Sequence, residues 1–159
     1  FPKDIPRVIE LDGKIPRNGN FHVNYEYDNT LCLGSPLRLL EKISIKPNLV
    51  GFAENCLVPY LYAITYKLQF GGGFIFSELA HGSQGIMEDY LSLFGLTDPK
   101  QVYQAIRLLG MEQKLANKQP CPCGCGLNLG QCNFHHKLNK YRGLADIAWF
   151  RAHLADCDN

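Results

Sequence analysis

The spacing of apolar positions divides the chain into an extended first part and a helical remainder. Residues 7–11 (RVIEL) are apolar and β-branched and predict a strand, which the turn signal Asp12-Gly13 closes. Phe1-Pro2 and Ile5-Pro6 ahead of it impose an extended approach. Residues 14–20 read as a loop, 21–27 as an aromatic, partly extended stretch, and Asp28-Asn29 as a turn before residues 30–33 (TLCL). Ser35-Pro36 opens residues 37–45, where Leu37, Leu40 and Ile43 suit a strand and a helix equally. Pro47-Asn48 starts a clearer helix: Phe52, Ala53, Cys56, Tyr60, Ala63 and Ile64 recur at helical spacing, and Pro59 should kink it or mark the first turn of a second helix.

Gly71-Gly72-Gly73 stops that helix, and residues 74–85, around Glu78 and His81, read as an irregular loop. A short helix is predicted over 86–94, ended by Gly95. Asp98-Pro99 with Gln101 starts another that runs to Leu109 and Gly110. Residues 111–117 add a turn, and Leu138, Tyr141, Ala145, Ala148, Trp149 and Ala152 form the apolar stripe of a final helix.

Composition narrows the classes. Hydrophobic residues make up 46% and charged residues 19% of 159 residues, as in an ordinary globular domain, and the formal charge of +1 gives no reason for non-specific attraction to nucleic acid or an anionic membrane. The longest apolar run, 49–68, is broken by Glu54, Asn55, Pro59 and Lys67 and is no membrane span. The first residue is Phe1, which suggests a chain trimmed or excerpted at its start. Seven cysteines, with Cys32, Cys56 and Cys157 apart and Cys121, Cys123, Cys125 and Cys132 bunched, fit a metal site and free thiols better than a disulfide framework. That points to a reducing, cytoplasmic setting.

The bunched cysteines, with His135 and His136 just behind, supply thiolates and imidazoles in the number a tetrahedral zinc site needs, and Gly124, Gly126 and Gly130 let the backbone fold tightly enough for them to converge. The pattern Cys121-Pro-Cys123-Gly-Cys125-Gly with Cys132 resembles the SEC-C zinc motif, with Cys125 in the place of a serine and Asn133 in the place of the fourth ligand. Cys121, Cys123 and Cys132 are therefore expected ligands. His135 is the first choice for the fourth, with His136 and Cys125 behind it. A closed four-ligand site predicts structural zinc.

Cys32 is the candidate for chemistry. A cysteine nucleophile attacks as a thiolate, its oxyanion needs a donor, and the side-chain amide of Asn24 can supply one if the intervening loop folds back. His22-Val23-Asn24, Asp28-Asn29 and Leu31-Cys32-Leu33 resemble, in order and spacing, the His-Pro-Asn, turn and Ile-Cys-Leu elements of the ubiquitin-conjugating enzymes. Phe1-Pro2 through Pro6 and residues 7–11 resemble that family's proline-led strand. Val23 and Asn29 replace its proline and glycine, and its first helix and first two strands would lie before Phe1.

The resemblance implies an α+β fold with a ubiquitin-conjugating-like core over residues 1–95, followed by a helical extension, 96–159, whose zinc-binding motif covers 121–136. It implies that Cys32 holds a protein C-terminus as a thioester for transfer to a lysine amine, that Asn24 stabilises the tetrahedral intermediate, that His22 holds the loop, and that Leu31 and Leu33 are buried flanks. The zinc end and residues 76–95 are more like divergent bacterial members that accompany anti-phage cyclic-nucleotide signalling. There the donor is the C-terminus of a cGAS-like nucleotidyltransferase in place of a ubiquitin-like protein. Donor and acceptor are thus proteins, with no membrane and no direct nucleic-acid partner. His81 could lower the pKa of Cys32 or deprotonate the incoming lysine. Two other readings stand beside this one: an adaptor in which Cys32 only packs, and a cysteine hydrolase pairing Cys32 with His81.

Overall fold

The computed structural model describes residues 5–75 and 82–157, and the chain divides into two compact units, Phe1–Ile86 and Met87–Asn159. The expected α+β core is not present: 58% of the structure is helical, and the described residues contain no sheet. What remains of the extended first part is a set of isolated antiparallel bridges, Ile9 to Thr30 and Val23 to Leu31. The reason is visible at residues 7–11. One backbone bond, from the Leu31 N–H to the Val8 carbonyl, ties this segment to the next, while Leu11 is 85% exposed. β-branched composition favours an extended backbone, but a strand also needs a partner along its length.

In the first unit, α1 (Pro36–Ile45) starts with proline at its first position, where no N–H is needed, and buries Leu37, Leu39, Leu40 and Ile43. The ambiguous 37–45 segment is therefore a helix. Asn48 caps α2 (Leu49–Phe52) by accepting from the Gly51 N–H at 2.8 Å. The chain then widens into a π-helical turn, Ala53–Leu57, before α3 (Val58–Phe70). Pro59 thus lies in the first turn of α3, and the wide turn absorbs the hydrogen bond that proline cannot donate. Gly71, at φ 69°, ends α3. Two clusters form the core here: Ile15, Val23, Leu31, Tyr60 and Ile64 in one, Leu39, Ile43, Phe52 and Cys56 in the other. Val8 and Leu33 pack against both.

α4 (Gly82–Phe94), within which the chain passes from the first unit to the second, begins four residues before the predicted 86, so part of the expected irregular loop is helical. Asp98 and Gln101 form a reciprocal capping box at α5 (Pro99–Leu109), as the sequence predicts. A short α6 (Gln113–Ala116) follows. The predicted final helix is two helices, α7 (Phe134–Arg142) and α8 (Ile147–Cys157), because Gly143 ends the first and Asp146 restarts the second by accepting from the Trp149 N–H at 2.8 Å. α5 packs against α7 and α8, burying Val102, Ile106, Leu109, Leu138, Tyr141 and Phe150.

Arg142 holds the end of α5. Its guanidinium donates to the carbonyls of Leu108, Leu109 and Met111, while Arg151 Nε donates to that of Gly110. These carbonyls lie at and just past the end of α5, where the helix supplies few N–H donors, and that of Leu108 also accepts the Met111 N–H. No helix among the described residues is long and apolar enough to cross a membrane.

Candidate functional site

Two sites emerge, one in each unit. The first surrounds Cys32. The Asn24 N–H donates to the Thr30 carbonyl at 2.9 Å and the Cys32 N–H to the His22 carbonyl at 2.7 Å, on either side of the Val23–Leu31 pair. Hydrogen bonds flanking a bridge in this way define a non-hydrogen-bonded antiparallel pair. Val23 and Leu31 face the core, at 5% and 7% exposure. Between these short arms the chain turns on Asn24, whose carbonyl accepts the N–H groups of Tyr27, Asp28 and Asn29. His22 and Asn29, at φ 52° and 58°, take the left-handed conformation that lets so short a loop close.

Side chains then lock the loop. Asp28 Oδ1 accepts both the Thr30 N–H at 2.9 Å and the Thr30 hydroxyl at 2.6 Å, and Arg7 pairs with Oδ2. These contacts, the Thr30 hydroxyl first, hold the Asp28 carboxyl below its usual range, so it is ionised at neutral pH. Asn24 Nδ2 donates to Thr30 Oγ1 at 3.0 Å. His22 sets its ring edge-on against Phe74, 4.6 Å between centroids.

Cys32 itself is half-buried. Burial pushes its thiol above the ordinary value, against a weaker opposing hydrogen bond from the Gly34 backbone. Tyr60 lies beside it, its hydroxyl donating to the Phe21 carbonyl at 2.8 Å. Its phenol is raised by burial first and then by its neighbours Cys32 and Glu10. Of the predicted residues, the fold brings Cys32, Asn24 and His22 into one short ladder. Leu31 is buried as expected, and Leu33 is half-buried. His81 and Glu78 lie outside the described residues. Arg7, Asp28, Thr30 and Tyr60 belong to this site without having stood out in the sequence. The run Asp28-Asn29-Thr30, an Asx-turn pattern, was the available signal for two of them.

The second site is a cluster of four thiols, Cys121, Cys123, Cys125 and Cys132, with every Sγ within 4.8 Å of the others. Pro120 bridges Asn128, the Cys121 N–H donates to the Leu127 carbonyl, and Gly124 and Gly126, at φ 77° and 78°, turn the intervening chain. The Sγ separations of Cys121 from Cys123 and of Cys123 from Cys132 are 3.2 and 3.6 Å. A tetrahedral ion with metal–sulfur bonds of about 2.3 Å places its sulfurs about 3.8 Å apart, so this set could hold a metal ion. The Phe134 N–H, at the start of α7, points at Cys132 Sγ at 3.4 Å.

Burial first, and then the adjacent sulfurs, push the Cys121 thiol far up, whereas the Leu127 backbone N–H draws Cys125 down. His135, the first choice for fourth ligand, is not in the converging group. Its Nδ1–H donates back to the Cys132 carbonyl at 2.6 Å, and its ring lies against His136 at 3.8 Å. Cys125 stands with the other three thiols instead. No protein-family model, no curated protein and no solved structure matches the chain.

Proposed function

We propose that this protein is an acyl carrier whose Cys32 accepts a protein C-terminus as a thioester and passes it to an amine, lysine being the ordinary acceptor. The observation that carries the reading is the closed ladder of residues 22–24 with 30–32, which ties Cys32 to the strand arm bearing Asn24 and fixes that amide by a hydrogen bond. Residues diagonally across such a pair stand roughly 7–8 Å apart, the span a tetrahedral centre on Cys32 needs to reach an amide donor. A half-buried thiol of raised pKa stays protonated at rest, which suits a carrier receiving an already activated acyl group and does not suit a hydrolase that must attack an unactivated amide. Partial exposure likewise favours chemistry over an adaptor in which Cys32 only packs.

The donor follows from the resemblance of the loop: a ubiquitin-like protein, or the C-terminus of a cGAS-like nucleotidyltransferase, in a reducing cytoplasm where free thiols persist. Zinc is the metal proposed for the four cysteines. Four thiolates leave no position for water, so its role is to hold the turn and the start of α7.

A synthetic peptide ending in a glycyl thioester, with free lysine as acceptor, tests the carrier reading on the intact chain. The acyl group should appear on Cys32, be released by a reductant thiol, and move to lysine faster than from the same peptide on glutathione. Asn24→Ala should acylate but transfer slowly. Amide formation at the wild-type rate by Cys32→Ala would end the proposal.

A further inference from the structure

Asn24 can serve an oxyanion only if its amide presents N–H and not oxygen, and an isolated asparagine can rotate to present either. Here the choice is made by the neighbouring hydroxyl. Thr30 Oγ1 has one proton, and that proton goes to Asp28 Oδ1 at 2.6 Å, a carboxylate kept ionised and paired with Arg7 on its other oxygen. With its proton committed, Oγ1 can only accept. The group of Asn24 that meets it at 3.0 Å must therefore be the NH2. One N–H is used, and the other remains for a ligand. Thr30 is 6% exposed, so water does not compete for this arrangement, whereas Asn24 is open to solvent.

We propose that Thr30 is a positioning residue for transfer: anchored on Asp28 and Arg7, it fixes both the place and the polarity of the Asn24 amide so that the second N–H is offered to the oxyanion on Cys32. The inference rests on the acyl-carrier reading and names the group that makes Asn24 effective. In the step concerned, the amine nitrogen attacks the thioester carbonyl, forming the C–N bond and an oxyanion. The oxyanion collapses, the C–S bond breaks, and its electron pair leaves on Cys32 Sγ. The nitrogen gives its proton to solvent and the thiolate takes one up. Asn24 acts on the oxyanion alone. The preceding acylation of Cys32, an exchange of one thiolate for another on the same carbonyl, depends less on it because the donor's thiolate leaves more readily than buried Cys32 does in transfer.

The experiment uses the full chain, the glycyl peptide thioester and free lysine, with acylation and transfer timed separately. Thr30→Val keeps the shape and removes the hydroxyl. It should lose far less in acylation than in transfer, which should fall between tenfold and a hundredfold, the range expected when a donor is kept but misplaced. Thr30→Ser should restore transfer. In an Asn24→Ala background, Thr30→Val should cost nothing further, because the two residues act as one unit. Equal loss in acylation and transfer, additive losses in the double variant, or unchanged transfer in Thr30→Val each overturn the proposal.

Should Thr30→Val not fold, the Asn24 side-chain amide protons in the wild type and Thr30→Ser decide. One slowly exchanging, shifted proton is expected, and two protons that both exchange rapidly at the positions of a free asparagine refute the positioning role. Failure of wild-type Cys32 to acylate at all would sink the carrier reading, a result separate from any of these.

Discussion

Cys125→Ser and His135→Ala, made separately, distinguish a ligand set made of the four clustered thiols from one that a histidine would complete. In the structure Cys125 Sγ lies within 4.8 Å of the other three sulfurs, and His135 Nδ1 is occupied 2.6 Å from the Cys132 carbonyl. Structural zinc contributes about 10–16 kcal/mol of apparent binding energy at neutral pH, so each of four thiolates accounts for about 2.5–4 kcal/mol. At about 1.4 kcal/mol per decade, Cys125→Ser should weaken zinc roughly 60- to 700-fold, and His135→Ala by less than about tenfold. Competition against a chromophoric chelator measures both. Cobalt substitution adds a second readout, since a four-sulfur site and a three-sulfur, one-nitrogen site differ in their thiolate charge-transfer and d–d bands. Wild-type affinity in Cys125→Ser together with collapse in His135→Ala would refute the four-cysteine site.

Two further outcomes concern the second unit. His153 is 7% exposed, stacked on Trp149 and hydrogen-bonded to the Tyr90 hydroxyl at 2.7 Å. Burial lowers its pKa, against an opposing pull from Asp156. A depressed folded value means the unfolded chain binds the extra proton first. Stability is therefore full above about pH 6.5 and falls as pH drops toward the folded value, by at most about 1.4 kcal/mol per pH unit. Denaturant midpoints between pH 7.5 and 5 should show this slope and lose it in His153→Leu. Arg142→Ala takes a donor from three carbonyls at the end of α5, of which that of Leu108 keeps the Met111 N–H, and should cost about 2–4 kcal/mol in denaturant unfolding, with Arg142→Lys recovering less than half because an ammonium cannot span the same carbonyls.

What was legible in the chain was what neighbours in sequence decide. Asp98-Pro99 with Gln101 announced α5 because a capping box spans four residues, and the bunched cysteines announced a metal site because its members lie within a dozen residues. The errors have physical sources of another kind. A β-branched run such as residues 7–11 says that a backbone can extend, and only the rest of the fold says whether anything pairs with it. The stripe from Leu138 to Ala152 held its period across Gly143, yet the Asp146 cap begins a new helix. For the fourth ligand the sequence left His135, His136 and Cys125 open; the structure groups Cys125 with the other three thiols across the turns at Gly124 and Gly126, while the His135 Nδ1–H donates to the Cys132 carbonyl. Of the Arg7–Asp28–Thr30–Asn24 chain only the Asx turn at Asp28-Asn29-Thr30 was legible, because the rest depends on the register of two bridges.

The two sulfur sites make opposite use of the same element. At the cluster, burial first and then the neighbouring sulfurs raise the Cys121 thiol, and only a cation makes four thiolates compatible in so small a space. At Cys32 there is one thiol, raised by burial and with no cation needed. A thiol of raised pKa attacks slowly from rest, but once acylated it is also a poorer leaving group, so its thioester outlasts one on an acidic cysteine in water. Such persistence is useless to a hydrolase and necessary to a carrier, which must wait for its acceptor. The cost is a slower final collapse of the tetrahedral intermediate. On the proposed carrier reading, an Asn24 N–H aimed at the oxyanion would lower the path from the thioester and so offset that cost, which joins the Thr30–Asp28 clamp and the burial of Cys32 in one arrangement.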